Sequence, residues 1–389
     1  MKIIDKLAKK IKKCLIVSRS KLFGVPSFYS LLFHRKELLF ATPDVANVTP
    51  INSDIDGQLI SRIIVAYKKL NREDIGNSMW KNFYNTYHQH IHDILINGDN
   101  ASATEIFRNP AENDLFYGFD ILTKSFIDSF KKKGAPLSYA KVCLDGLLRF
   151  AEAVGICPLD NKESWNPANL DNSIGTEEII KKIDQSLAWS FSFPNPFPHE
   201  PGLYTSRGVV SYRVPQAIYQ AWIINEHVKG IKNPRILEIG GGLGRTAYYA
   251  YEIGLKDYTI IDLPITSAAQ TYFLGRTLGQ ENLILEGEDT DGLPNDKIKI
   301  LSPKSFLGSN QIFDLIINVD SMTEMDISVA RKYWGKIKQS TKKFISINHE
   351  SNPFRVKDII SDDRDNFSVQ RKLYWMRYGY VEEIININS

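Results

Sequence analysis

Glu238 sits in a short apolar run, Ile236-Leu-Glu-Ile, and is followed by glycines at 240, 241, 242 and 244. A second run, 258–261, ends in Asp262 about twenty residues after the glycines, the interval at which an acidic residue meets a ribose in open α/β folds. A buried strand that stops at glycines and leads into a helix, here the helix-prone 246–253, brings a ligand against bare backbone at the carboxyl edge of a parallel sheet. An acid at the end of the next strand can accept hydrogen bonds from both hydroxyls of a ribose.

Further along, the run 313–319 delivers Asn318, Asp320, Ser321 and Glu324, and 343–347 delivers Asn348, His349 and Glu350. These groups fall at adjacent strand ends, where acid–base chemistry beside a bound ligand would take place. Histidine has the better solution pKa for accepting a proton at neutral pH, whereas Asp320 needs help from its surroundings.

The segment 236–245 resembles the Glu-x-Gly-x-Gly-x-Gly motif of class I methyltransferases, which bind S-adenosylmethionine. The competing pattern, Gly-x-Gly-x-x-Gly of dinucleotide-binding domains, places a pyrophosphate at the helix amino end. Here the third spaced glycine comes one position early, at Gly244, and the Glu238 carboxylate would repel a pyrophosphate while suiting the ammonium of a methionine moiety. With 258–264 and 313–325, the motif looks like that of the sugar O-methyltransferases of bacterial surface-polysaccharide clusters, over about residue 200 to the end and including 206–213.

That resemblance implies S-adenosylmethionine as cofactor, with Glu238 at its amino group, Gly240, Gly242 and Gly244 at close backbone approach, Asp262 at the ribose and Leu263 beside the adenine. Asn318 is counted with these cofactor-binding residues. For the adenine amine the sequence offers Glu288-Asp289 or the region of Ser302, according to which run is the third strand. The implied reaction is methylation of a hydroxyl on a sugar or glycan intermediate. His349 is expected as general base, with Asp320 orienting it or the acceptor and Glu324 as a further catalytic candidate. Arg207 and Arg213, with Tyr212 and Tyr204, are expected to grip the acceptor. A nicotinamide-dependent oxidoreductase and a catalytically silent methyltransferase-like assembly partner are the alternatives.

These residues need a frame. Strands are predicted at 235–239, 258–261, 313–319 and 343–347, with the third strand open between 283–285 and 298–301. The stretches 369–376 and 380–385 read as a closing hairpin around Arg377-Tyr378-Gly379. Continuous apolar strands alternating with helices predict an α/β, Rossmann-like parallel sheet of the class I methyltransferase type with an antiparallel carboxyl-terminal hairpin, over 200–389. A mainly helical domain is expected over 40–195, from the helical spacing of Ile60, Ile63, Ile64 and Tyr67 and of Trp80, Phe83, Tyr84, Tyr87 and Ile91, with further helices around 119–130, 140–153 and 177–189. The proline-rich 193–202 marks the junction, and Pro215 is placed to open a helix reaching about Lys229.

Length and composition set outer limits. At 389 residues two domains are the default, and 43% hydrophobic with 24% charged residues is ordinary for a globular protein. Lysine plus arginine number 48 against 45 acidic residues, a net charge of +3 that gives no case for nucleic acid. Cys14, Cys143 and Cys157 have no paired spacing and suit a reducing cytoplasm. His88, His90 and His92 lack an acidic third ligand of recognisable spacing, and no metal is expected. Residues 1–25 form a separate basic segment. Eight basic residues in 1–21 (Lys2, Lys6, Lys9, Lys10, Lys12, Lys13, Arg19 and Lys21) surround an apolar helical stripe, so peripheral contact with the anionic inner face of the cell membrane is an expected partner interaction. Assembly into a homo-oligomer is a further expectation.

Overall fold

The computed structural model describes residues 36–48, 53–70, 79–158, 174–288, 296–361 and 367–387. The basic amino-terminal segment, Cys14 and Asp289 lie outside these residues. Among the described residues no helix is long and apolar enough to cross a membrane.

From Ser53 to Leu187 the described chain is mainly helical. The predicted spacing buries Ile60, Ile63, Ile64 and Tyr67 along helix Ser53–Leu70. Asp99 caps helix Asn100–Arg108 by accepting the Ser102 N–H, and Gly98, in the left-handed region, ends the helix before it. The helix expected over 119–130 begins only at Lys124. Asp120 accepts the Ile121 N–H and Thr123 caps the helix through the Phe126 N–H, so residues 118–120 remain a turn. That turn proves to border the site.

Strands β1 (Pro43–Val45), β2 (Pro201–Thr205) and β3 (Gly208–Val210) form a small antiparallel sheet with β2 in the middle. It joins chain from both sides of the proline-rich junction. One apolar core runs from Leu38 through Leu59, Phe107 and Phe150 to Tyr272 and Tyr380. The architecture changes near residue 200, but the core does not stop there.

The large sheet has eight strands: β4 (Ile236–Ile239), β5 (Tyr258–Ile261), β6 (Leu283–Leu285), β7 (Ile298–Leu301), β8 (Leu315–Val319), β9 (Lys343–His349), β10 (Phe367–Leu373) and β11 (Tyr380–Ile387). Their order is β10-β11-β9-β8-β4-β5-β7-β6. β4 to β9 run parallel, while β11 is antiparallel to both β9 and β10. β4 and β5 are buried at every position, as strands covered on both faces must be. A parallel sheet closed by an antiparallel strand set between the last parallel strand and its hairpin partner is the class I methyltransferase fold.

Both runs considered for the third strand are strands. β7 pairs with β5 and takes the inner place, leaving the three-residue β6 at the edge. The predicted strand 313–319 starts as an isolated bridge at Phe313 and pairs continuously only from Leu315.

Helix Ser53–Leu70 lies against helix Pro264–Thr277, and Gly275 makes room for Leu59, whose Cδ1 would stand 2.8 Å from a Cβ at that position. Asp56 is fully buried, bonds the Arg108 Nε at 2.6 Å and faces Arg276 at 3.7 Å. Removing this carboxylate by Asp56→Ala leaves two guanidinium groups without their shared partner. Breaking a buried pair costs about 3–5 kcal/mol, and because Arg108 reaches solvent the expected loss is about 2–3 kcal/mol. Urea unfolding measures it as a lower midpoint with an unchanged slope. A midpoint equal to the parent's would remove this pair from what holds the helices to the sheet.

Candidate functional site

β4 stops at Ile239 and the chain turns through 240–244 into helix Arg245–Glu252. Gly240, Gly242 and Gly244 have φ of 73°, 54° and 87°, a region that costs other residues about 1–2 kcal/mol. At Gly240 space is also missing, since a Cβ would overlap the Ser321 side chain. Ser321 cannot easily yield: its hydroxyl donates to the Ile239 carbonyl at 3.0 Å and accepts from Asn318 Nδ2 at 2.5 Å.

Asn318 is therefore not placed as a cofactor contact, and that expectation is corrected. Its Nδ2 also donates to the Ile239 carbonyl at 2.8 Å, and its Oδ1 accepts from the Met322 N–H at 3.2 Å and from Asn348 Nδ2 at 2.9 Å. Fully buried and bonded, it borders neither of the cavities beside the turn. Its work is to fasten the end of β4 to the end of β8.

The two cavities share Trp80, Gly240, Asp262 and Ser321 in their walls. The larger, about 640 Å³, is mostly apolar and bounded by Leu263, Pro303, Leu307, Met325, Val329 and Tyr333. The smaller, about 110 Å³, is the more polar of the two and bounded by Glu238, Asp320, Glu324, Arg213 and the turn 118–120. Ser302 follows β7 and gives its N–H to Glu286 at 2.7 Å, so the chain enters the larger cavity's wall at Pro303. Glu288 instead turns to helix Ser53–Leu70, bonding Arg62 Nε at 2.6 Å. Of the two regions offered for the adenine amine, the one at Ser302 adjoins the cavity.

Burial dominates the electrostatics. It pushes the Glu238 carboxyl up to about 7, although the Tyr258 hydroxyl donates to it at 2.9 Å. Burial likewise raises Asp262 to about 7, against the Leu263 N–H at 2.8 Å and Gln270 Nε2 at 2.7 Å. Gln270 donates to the Gly242 carbonyl as well, at 2.8 Å, and so clamps the glycine turn to Asp262. Glu324 rises to about 8, through burial first and the Asp320 charge second, while Arg213, Arg377 and a hydrogen bond from Trp80 pull it back.

Asp320 has φ of 56°, unusual for a residue with a side chain. It is held there by Arg377 at 2.8 Å and by the Tyr380 hydroxyl, which donates to Oδ1 at 2.8 Å. The expectation that Asp320 orients His349 is corrected, because Tyr380 takes that place. His349 packs its ring edge-on against Tyr380 at 4.8 Å between centroids and accepts the Ser351 N–H at Nδ1. It borders neither cavity. The reason is strand alternation: in β9 Asn348 turns inward to Asn318 and Thr323, so the next side chain points to the other face.

Of the expected acceptor residues, only Arg213 reaches the polar cavity. Arg207 pairs with Asp184 at 2.5 Å and donates to the Phe191 carbonyl, away from the site. Tyr212 gives its backbone N–H to the Tyr139 hydroxyl and also stays outside both cavities. His88 is buried and His92 meets the Tyr67 hydroxyl at 3.0 Å. Trp80, Gln270 and Arg377 were not singled out as site residues in the sequence. Trp80 carried a signal only as one member of an apolar helical stripe.

No protein-family model matches the chain, and no curated protein matches it. Among solved structures it is similar to the magnesium protoporphyrin IX methyltransferase of Synechocystis PCC 6803 with bound SAM, at 12% identity and a TM-score of 0.33 over 45% of this chain and 84% of that one. It is also similar to the ribosomal protein L11 methylase of Lactobacillus delbrueckii subsp. bulgaricus, at 13% identity and 0.31 over 45% and 80%. A third is a glycopeptide N-methyltransferase complexed with S-adenosyl-L-methionine, at 13% and 0.33 over 44% and 94%. Likeness this slight carries no argument about activity.

Gly240→Ala should both strain the turn and push against Ser321, lowering stability by about 1–2 kcal/mol from the backbone alone. Thermal unfolding checks this, and a variant as stable as the parent would show that the turn has room to move. A second expectation follows from the raised carboxyls. Folding favours their protonated forms, so stability present below the usual carboxylate range is lost as pH rises through about 7 to 8. The ligand-free protein should melt at lower temperature at about pH 8.5 than at about pH 6, and Glu238→Gln should reduce that difference. An equal pH dependence in parent and variant would refute the assignment to Glu238.

Proposed function

We propose that the chain is an S-adenosylmethionine-dependent O-methyltransferase whose acceptor is a hydroxyl of a sugar or glycan intermediate in bacterial surface-polysaccharide synthesis. The observation that carries the cofactor is the pair Glu238 and Asp262 on adjacent parallel strand ends, on either side of a glycine turn with no room for a side chain at Gly240. Glu238 suits an ammonium group and Asp262 two ribose hydroxyls, while the apolar cavity beside Leu263 and Pro303 suits an adenine. A pyrophosphate would instead meet Glu238, Asp320 and Glu324, and like charges set against one another cost several kcal/mol.

S-adenosylmethionine, when bound, supplies a methyl group made electrophilic by its sulfonium. The chain's own part is to hold the acceptor hydroxyl in line and take its proton. Glu324 is the group we assign to that proton transfer. It borders the polar cavity, and its raised pKa places it near a working pH. Asp320, Arg377 and Tyr380 form a rigid bonded group beside it. The Trp80 ring and Phe119 give apolar faces next to these polar groups, which supports a sugar ring as acceptor.

Calorimetric titration with S-adenosylmethionine and NAD tests the reading directly. Binding of the first and not the second is expected, and Asp262→Ala should weaken it by about 1–3 kcal/mol through lost hydroxyl contacts. Preference for NAD would overturn the proposal. Transfer of labelled methyl to a panel of sugar acceptors should rise with pH up to about 8, as Glu324 loses its proton, and vanish in Glu324→Gln while cofactor affinity is kept.

A further inference from the structure

The inference here rests on the cofactor reading just given. The amino-acid tail of S-adenosylmethionine is a zwitterion, so Glu238 can serve only half of it. Among the described residues the cations bordering the polar cavity are Arg213 and Arg245. Arg245 is buried between Glu200 at 2.6 Å and Asp120 at 3.4 Å, and two carboxylates already match its charge. Arg213 differs. Among the described residues its ion-pair partner is Asp320, which stands 3.8 Å away and is itself engaged by Arg377 and Tyr380 at 2.8 Å each, while the nearby Glu324 is held largely protonated by burial. The Arg213 Nε is buried and has no hydrogen-bond partner among the described residues. A buried donor left unpaired in this way calls for an acceptor that arrives with the ligand.

The neighbouring helix points the same way. Arg213 sits at the amino end of helix Val214–Val228, where the aligned peptide dipoles favour an anion. Gln216, Ala217 and Gln220 follow it on one face and border the same cavity. Gln220 accepts the Thr246 hydroxyl at 2.5 Å, and Thr246 in turn bonds Glu238. One helical face therefore leads from Arg213 to the carboxylate assigned to the ammonium.

We propose that Arg213 binds the α-carboxylate of the cofactor's amino-acid tail, in place of the acceptor contact expected from the sequence. Arg213 and Glu238 then form the two poles of a subsite for an amino-acid zwitterion. Titration calorimetry on the full chain tests this with two probes: S-adenosylhomocysteine, which has the tail, and 5′-methylthioadenosine, which shares the adenosyl thioether and lacks it. The parent should bind the first more tightly. Arg213→Gln should weaken S-adenosylhomocysteine about 10- to 100-fold, the range of a lost charge-assisted hydrogen bond, and leave 5′-methylthioadenosine unchanged. Arg213→Lys should recover part of the loss. Unchanged S-adenosylhomocysteine affinity in Arg213→Gln, or equal weakening of both probes, would overturn the assignment while leaving the cofactor reading standing. A parent that binds neither probe would overturn the cofactor reading itself.

Discussion

Glu238, Asp262 and Glu324 border adjoining cavities at the strand ends, and the fold gives none of them room to turn away. Glu238 belongs to a strand buried at every position, Asp262 is held by Gln270, and Glu324 ends a single helical turn, Met322–Glu324, whose first two residues are buried. Carboxylates fixed in such a place have two ways to lower their energy: keep a proton, or find a cationic partner. Much else in the molecule follows from this constraint. The helices over the sheet, with Trp80 and the turn 118–120, thin the water around these groups and so sharpen their appetite for positive charge.

Holding that arrangement requires the glycine turn itself to be immobile. The buried Asn318 and Asn348 and the half-buried Ser321 form a polar network under it, and the Ile239 carbonyl, the last of β4, receives two of its donors. A network in which each member finds partners stiffens the structure around it. From above, Gln270 ties the Gly242 carbonyl to Asp262. The turn is thus bonded on both sides, with its open edge left to a ligand.

The glycine turn and its two acids were legible in the sequence because everything that defines them is local: apolar runs, glycines and an acid at each strand end. The closing hairpin was legible for the same reason. The place of β6 and β7 was not, since two short apolar runs in succession carry no sign of which one reaches the inner position. His349 was misplaced because the face a strand residue occupies depends on registry with β11, where it lies opposite Tyr380. Arg207 and Arg213 are alike in sequence, and what separates them is Asp184, on a helix closed by the chain fold. Trp80 reads as one more apolar residue of a helix until that helix is set over the sheet.

The sharing of one core between the helices and the sheet bears on how the chain reaches this state during synthesis. β1 has no described strand partner until β2 emerges, and helix Ser53–Leu70 must wait longer still for helix Pro264–Thr277. The early helices therefore leave the ribosome with Leu59 and Ile63 lacking the Pro264–Thr277 surface they pack against. Contacts this distant along the chain close slowly, and exposed apolar faces invite association in the meantime. The protein's vulnerable period is its birth, when half of a core is present without the other half.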